Sequence, residues 1–376
     1  MSATVVSTAH HLEAPLACGP GTPLSACLRI ALIASARYPI RQPFPGGLEA
    51  HTWQLARTLR SRGHRVCVFG GVGSDPELGV HELPELPPIS TQARGDVSMP
   101  PEWFLAEHHA YLALMLELGQ TSDRYDVVHN NSLHYLPVAM ASSLPMPVLT
   151  TLHTPPTPWL ESAVRARTAT SSFAAVSRFT AEQWQPAIPD PAVVHNGVDT
   201  AFWTAGPGGG VPVWFGRIVP EKGPVEAIAA ARAAGTGLRL AGPTPDLRYF
   251  REVVEPLLGD GVDYLGHLDH QQLVALLGSA RVAVVTPCWD EPYGLVVAEA
   301  LACGTPVAGF SRGALPELLD DTCGVLVAPG DTDALASAID RAAGLDRRAA
   351  RRHAERTCSI DAMVDGYERL YAEVAT

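Results

Sequence analysis

Apolar residues in this chain come in short runs, each followed by a segment of helical periodicity. Leu28-Arg-Ile-Ala-Leu-Ile-Ala-Ser35 opens the series and reads as a strand buried on both faces. A Pro-rich loop ending in Gly46-Gly47 follows, then a helical pattern from Leu48 to Arg62 that Gly63 closes, then a second strand from His64 to Phe69. That strand, helix, strand order is the signature of a parallel sheet covered by helices. Residues 71–101 lack periodicity and read as a long connection holding at most a short strand. A helix is predicted over 102–118, and its Trp103, Phe104, Tyr111, Leu112 and Met115 read as a packing face. Short apolar strands then fall at 126–129, 147–153, 173–177 and 192–195. Ligands of open α/β sheets lie beyond the carboxyl ends of the strands, so the polar ends His129, His153, Ser177 and Asn196 are expected along one functional edge.

The clearest break is Thr204-Ala-Gly-Pro-Gly-Gly-Gly-Val-Pro212, a Gly/Pro linker. Alternating units resume after it. Strands are expected at 211–215, 238–241, 262–265, 281–286, 305–309 and 324–327, with closing helices near 331–343, 346–356 and 361–373. The domains expected are a loose leader over 1–26, an N-terminal domain over 27–203, the linker 204–212 and a C-terminal domain over 213–358. A final helix in 359–376 is expected to pack back on the N-terminal domain.

The 376 residues hold 47% hydrophobic and 18% charged positions, which fits two globular domains. With 39 acidic against 27 basic residues and a net charge of −12, the chain lacks the cationic excess that nucleic-acid binding needs. Its 7 cysteines show no zinc-site spacing and read as reduced core residues. No run is long and apolar enough to span a bilayer, so a cytoplasmic protein without a transmembrane segment is expected.

Composition also singles out Lys222, the sole lysine, in Gly216-Arg-Ile-Val-Pro-Glu-Lys-Gly223. In an arginine-biased chain, the retained compact point charge suits a pocket that clasps an anion; the alternative is a lysine left by chance in a surface loop. A second stretch is Asp290-Glu-Pro-Tyr-Gly-Leu-Val-Val-Ala-Glu299. A helix start at Tyr293, Gly294 and Leu295 offers unpaired amides to a phosphate or a sugar hydroxyl. Glu291 and Glu299 would leave that start in different directions, toward opposite ends of a long polar ligand. Glu299 lies among apolar residues, where a charge is expected to be paired or hydrogen-bonded. The competing reading makes Glu291 a helix cap and Glu299 a solvated carboxylate.

Arg217 with Lys222, and Glu291 with Glu299, resemble the Arg-x4-Lys and Glu-x7-Glu motifs of the retaining glycosyltransferases of family 4. Gly46-Gly47-Leu-Glu49, His153-Thr-Pro-Pro156, Asn196-Gly-Val-Asp199, Leu301 to Val307 and Gly313 to Glu317 match that family in type and order. The resemblance implies an α/β chain of two Rossmann-like, doubly wound parallel-sheet domains facing across a cleft (GT-B). It implies transfer of a sugar from a nucleotide-diphosphate sugar to a hydroxyl acceptor with retention, and no cofactor or metal. Arg217 and Lys222 would hold the diphosphate, Glu299 the ribose and Glu291 the transferred sugar. The amides of Tyr293, Gly294 and Leu295 would help at sugar and phosphate. His153 would lie near the sugar from across the cleft, and Gly46 and Gly47 would let the backbone approach the donor. The catalytic set implied is His153, Arg217, Lys222 and Glu291.

The acceptor, a small molecule, lipid or glycan, is not specified by these residues. His129-Asn130-Asn131 reads equally as an acceptor contact or a structural hydrogen-bonding unit, and Glu49 as an acceptor contact or an orienter of the first helix. Gly242-Pro-Thr-Pro245 and Gly266-His267-Leu268 end strands where they could shape the base pocket. Two alternatives share the fold: a sugar-nucleotide epimerase and a non-catalytic nucleotide-sugar-binding protein. A phosphorylase would need a pyridoxal-phosphate lysine in another context. A nicotinamide-dependent oxidoreductase would need Gly-x-Gly-x-x-Gly where this chain reads Ala36-Arg-Tyr-Pro39.

Overall fold

A computed structural model describes residues 27–121, 123–167 and 171–375, so the expected leader over 1–26 lies outside the described residues. The first sheet contains β1 (Arg29–Ile33), β2 (Arg65–Gly70), β3 (His81–Glu82), β4 (Val127–Asn130), β5 (Val148–Leu152), β6 (Ser171–Ala175) and β7 (Ala192–Val193). They are ordered β3-β2-β1-β4-β5-β6-β7, every neighbouring pair parallel. The second sheet contains β8 (Val213–Phe215), β9 (Leu238–Ala241), β10 (Val262–Tyr264), β11 (Ala283–Val285), β12 (Val307–Phe310) and β13 (Gly324–Val327). Its order is β10-β9-β8-β11-β12-β13, again all parallel.

Each sheet is buried on both faces. In β1, Ile30 and Leu32 enter one apolar cluster while Ala31 and Ile33 enter another, because successive side chains point to opposite faces. The helix α1 (Gly47–Ser61) supplies Leu55, Ala56 and Leu59 to the first cluster, and α2 (Glu102–Leu118) supplies Tyr111, Leu114 and Met115 to the second. The packing-face expectation for 102–118 therefore divides. Tyr111 and Met115 are core residues, whereas Trp103, in the first turn of α2, is 60% exposed.

In the second domain α3 (Pro224–Ala233) and α5 (Thr332–Ala343) cover one face, and α4 (Leu295–Ala302) with α6 (Arg347–Thr357) cover the other. The Gly/Pro stretch 204–212 is hydrogen-bonded along its length. The amides of Gly206, Gly208 and Gly210 donate to the carbonyls of Cys303, Gly278 and Ser279. A Cβ on Gly206 would sit 2.4 Å from Gly278, so glycine permits this close crossing. Chain closure comes through α7 (Ile360–Val374), whose Met363, Val364, Tyr367 and Tyr371 join the first domain's core. Arg62 pairs with Asp361, Asp365 and Glu368 along it.

Of the four polar strand ends expected on one functional edge, two turn elsewhere. His129 is buried, 2.6 Å from the Tyr371 hydroxyl and 2.8 Å from Thr151 Oγ1, so it ties α7 to the sheet. Ser177 caps the helix Arg178–Trp184 and donates to the Pro292 carbonyl at 2.6 Å, so it joins the domains. A strand's position fixes where it ends; the turn after it decides where the last side chain points.

Candidate active site

The carboxyl ends of the two sheets enclose a cleft of about 510 Å³ lined by both domains. On the C-terminal side, β8 runs into Gly216-Arg217, and a 3-10 turn over Pro220–Lys222 follows. Gly223 adopts φ +67, and a Cβ there would lie 2.0 Å from the Thr286 carbonyl, so only glycine lets Lys222 reach the cleft along this path. Lys222 Nζ donates to Glu291 Oε2 at 2.5 Å and sits 5.0 Å over the Trp289 ring. Trp289 Nε1 donates to the same carboxylate oxygen at 3.1 Å. Behind Glu291, Gly313 at φ +60 presses against its backbone, and the Ala314 amide donates to its carbonyl at 2.8 Å. The two motif residues thus touch, with the indole fixing both.

Arg217 is half-exposed, 3.8 Å from Glu221, and reaches into the cleft. Gly294 holds φ +99 at the start of α4, which has no side-chain cap. Among the described residues, no protein acceptor meets the amides of Tyr293, Gly294 or Leu295. That helix start faces the cleft with its orphan donors and dipole. The Tyr293 ring itself is buried, and its hydroxyl donates to the Asn196 carbonyl at 2.5 Å, so only its backbone faces the cleft.

One turn further along α4, Glu299 is buried and lines the cleft, and among the described residues no hydrogen bond or ion pair meets it, in contrast to the pairing its apolar setting predicts. Burial pushes its carboxyl up to about 8, so at neutral pH it holds a proton instead of a counter-charge.

From the other side, the start of α1 meets the start of α4, since a Cβ on Gly47 would lie 3.1 Å from Leu295 Cδ1. Gly46 precedes α1 at the capping position and gives that helix start no side-chain cap. Glu49 is buried in the cleft; burial raises its carboxyl, partly offset by its own amide and by Arg217. His153 lies on the same wall with Nε2 2.8 Å from Asn131 Oδ1, which places the hydrogen on Nε2 and leaves Nδ1 as acceptor. Burial, with the nearby His51 and His129, drives its imidazole well below the usual range, so it is neutral. The triplet His129-Asn130-Asn131 makes structural hydrogen bonds: Asn131 orients His153, and Asn130 accepts from Ser132. Trp289 had no sequence signal beyond its place beside Asp290-Glu291.

The domains also grip each other beside the cleft. Glu317 accepts from the amides of Arg178 and Phe179 at 2.9 and 2.6 Å and lies 3.3 Å from His195 Nε2. His267 Nε2 donates to the Phe44 carbonyl at 3.0 Å.

Two facing parallel-sheet domains, with cationic and carboxylate groups and a helix start gathered between them, define a GT-B glycosyltransferase. Residues 45–202 match the profile described as glycosyltransferase family 4, and residues 210–356 match that of glycosyl transferases group 1. The chain belongs to glycosyltransferase family 4. It is 29% identical to the glycogen synthase of Mycobacterium tuberculosis, over 81% of this chain and 85% of that protein. It is 27% identical to the D-inositol 3-phosphate glycosyltransferase of Mycolicibacterium smegmatis, over 94% of this chain and 93% of that protein. Among solved structures, Anabaena HepE in complex with UDP and glucose aligns with TM-score 0.71 at 19% identity, over 92% of this chain and 100% of that one. A glycosyltransferase of avilamycin A biosynthesis aligns with TM-score 0.68 at 23% identity, over 93% and 98%. No helix of the described residues is long and apolar enough to cross a membrane.

Proposed function

We propose that this glycosyltransferase moves a sugar from a nucleotide-diphosphate donor to a hydroxyl acceptor with retention of configuration. The reading is carried by the arrangement of one wall, where Arg217, the Lys222–Glu291 pair, the orphan amides at 293–295 and Glu299 all line the same cleft. In this reading Arg217 and Lys222 hold the diphosphate and stabilise the leaving charge in place of a divalent cation. A diphosphate draws Lys222 from Glu291, which frees Glu291 to accept from hydroxyls of the transferred sugar. Glu299 takes the ribose hydroxyls, and the helix start holds phosphate and sugar oxygens.

His153, neutral and with Nδ1 as acceptor, contacts a sugar hydroxyl from across the cleft. Gly46 and Gly47 let the backbone come close to the donor. The acceptor hydroxyl attacks the face that the phosphate vacates, the anomeric C–O bond to phosphate breaks, and the departing phosphate oxygen takes the acceptor's proton. The similarity to HepE, solved with UDP-glucose as well as UDP and glucose, supports a sugar-nucleotide donor.

The test is a thermal-shift panel of nucleoside diphosphates and sugar nucleotides, followed by proton NMR of the product's anomeric centre. A donor that raises the melting temperature and an anomeric configuration kept in the product are expected. No response to any nucleotide, or an inverted product, rejects the reading. Donor conversion in the absence of any acceptor would favour an epimerase instead.

A further inference from the structure

Beyond the donor wall, the surface of the N-terminal domain carries an unusual run of rings. Trp103 and Trp159 are each 60% exposed, although large aromatic side chains of this kind normally bury most of their area. They belong to a connected series. Trp103 meets Phe104 with centroids 5.8 Å apart, Phe104 meets Trp159 at 5.9 Å, and Trp159 stacks on Tyr135 at 5.3 Å with planes 27° apart.

This series joins the cleft at two points. Arg37 lines the cleft, and its guanidinium lies 5.3 Å over the Trp103 ring. Leu133 lines the cleft as well, 43% exposed, two residues before Tyr135. The rings therefore continue the cleft outward on the side opposite the donor wall. Tyr135 is fixed from beneath by stacking on His134 at 4.7 Å, which in turn stacks on the buried Tyr111 at 4.6 Å, so the platform rests on the domain core.

Charge narrows the occupant. Among the described residues lining the N-terminal wall, Arg37 is the only arginine or lysine, and Glu107 accepts from both its Nε and Nη2 at 3.1 to 3.3 Å. A phosphorylated acceptor would meet a neutralised cation there, and a chain of net charge −12 is repelled by an anionic lipid surface. Neutral sugar rings fit instead: one face of a pyranose presents C–H groups that pack flat on an indole, while its edge hydroxyls stay in water. Phe104 separates the two exposed indoles, 5.8 Å from one and 5.9 Å from the other with planes turned by 85° and 44°, so each indole offers its own face, and a chain of several sugar units can use both where a single small polyol uses one.

We propose that Trp103 and Trp159 form a stacking platform for the acceptor, and that the acceptor is a neutral glycan chain. The assignment rests on the transfer reaction proposed above, but the platform can be tested apart from it. Neutral linear hexose oligosaccharides of graded length would be titrated into the protein by calorimetry without donor, and used as acceptors with donor. Affinity is expected to rise with chain length. Trp103→Ala and Trp159→Ala should each weaken oligosaccharide binding about tenfold. Acceptor KM should change far more than kcat, and Trp→Tyr at either position should recover most of the loss. The thermal shift given by a nucleoside diphosphate should be the same in all variants, which shows that they fold and reports separately on the donor reading. Affinity independent of chain length, unchanged binding in both Trp→Ala variants, or no binding of any oligosaccharide overturns the proposal. Trp-dependent binding to phosphatidylcholine vesicles in place of oligosaccharides overturns it in favour of a lipid surface.

Discussion

The C-terminal wall of the cleft presents charged side chains, Lys222 against Glu291 and Arg217 near Glu221. The N-terminal wall, built from the same kind of parallel strand ends, presents imidazoles and rings with their charge suppressed. Burial holds the cleft-lining His153 well below the usual imidazole range, and Glu49 is pushed toward its protonated form. A group that must meet a diphosphate has to keep its charge, and partial exposure with a nearby counter-ion allows that. A wall that meets sugar hydroxyls needs oriented donors and acceptors, which neutral groups provide at lower desolvation cost. The difference between the walls is the one the proposed pair of substrates requires.

The hardest blow to this contrast is Lys222→Met. It removes the compact cation and leaves Glu291 partly buried with only the indole N–H of Trp289. Transfer rate should fall about 10²- to 10³-fold, the range for losing one group aimed at developing charge. Steady-state kinetics at saturating acceptor would measure it. A variant within threefold of wild type would mean that the charged wall does not act on the leaving group.

Next comes Glu299→Gln, a test of whether a charged wall can hide a proton. In the native protein this carboxyl sits near 8, against 4.5 when free. Between those values the folded state keeps a proton that the unfolded state has released, so burial of Glu299 costs stability increasingly as pH rises through that window. Glutamine abolishes that loss, so the variant's melting temperature should gain on wild type from pH 5 to pH 8. Ribose hydroxyls that donate to the carboxylate favour its ionised form, so donor affinity of the wild type should climb as pH rises toward 8. In Glu299→Gln that climb should vanish. Calorimetric titrations across pH decide it, and a flat wild-type profile removes the ribose assignment.

These charged residues were also the legible ones. Lys222 stands out as a single lysine, and Glu291 and Glu299 by their spacing, because motifs record residue types that chemistry requires. Strands such as Leu238–Ala241 and Gly324–Val327 stand where their apolar runs put them, since strands covered on both faces have no polar alternation to blur them. What the pattern could not carry was direction. His129 and Ser177 end their strands on the correct edge, yet one turns into the core and the other toward Pro292. Trp103 lies on a helix whose later turns pack inward, and periodicity does not tell which turns of a helix are covered. The two residues of β3 pair only with Phe69 and Gly70 and are too short for any pattern. The Lys222–Glu291 contact joins loops 69 residues apart, a closeness that sequence spacing does not encode.

The smallest expected effect lies where the two walls meet. Glu317 brings a charge from the C-terminal domain to the amides that start the helix Arg178–Trp184, with the Arg178 guanidinium 4.0 Å away. Burial raises its carboxyl, but His195 and the two amides outweigh that and hold it below the ordinary glutamate range. A depressed carboxyl stabilises the fold above its free value of 4.5 and loses that contribution as pH falls through the folded value. Glu317→Gln keeps one acceptor oxygen and loses the charge that the helix start favours, a change worth about 1 kcal/mol. The melting temperature at pH 7 should drop by about 2 °C, and the gap from wild type should close as pH is lowered below 4.5. A gap that persists at low pH would mean that the contact works by shape alone, and that charge is not what the C-terminal domain contributes to it.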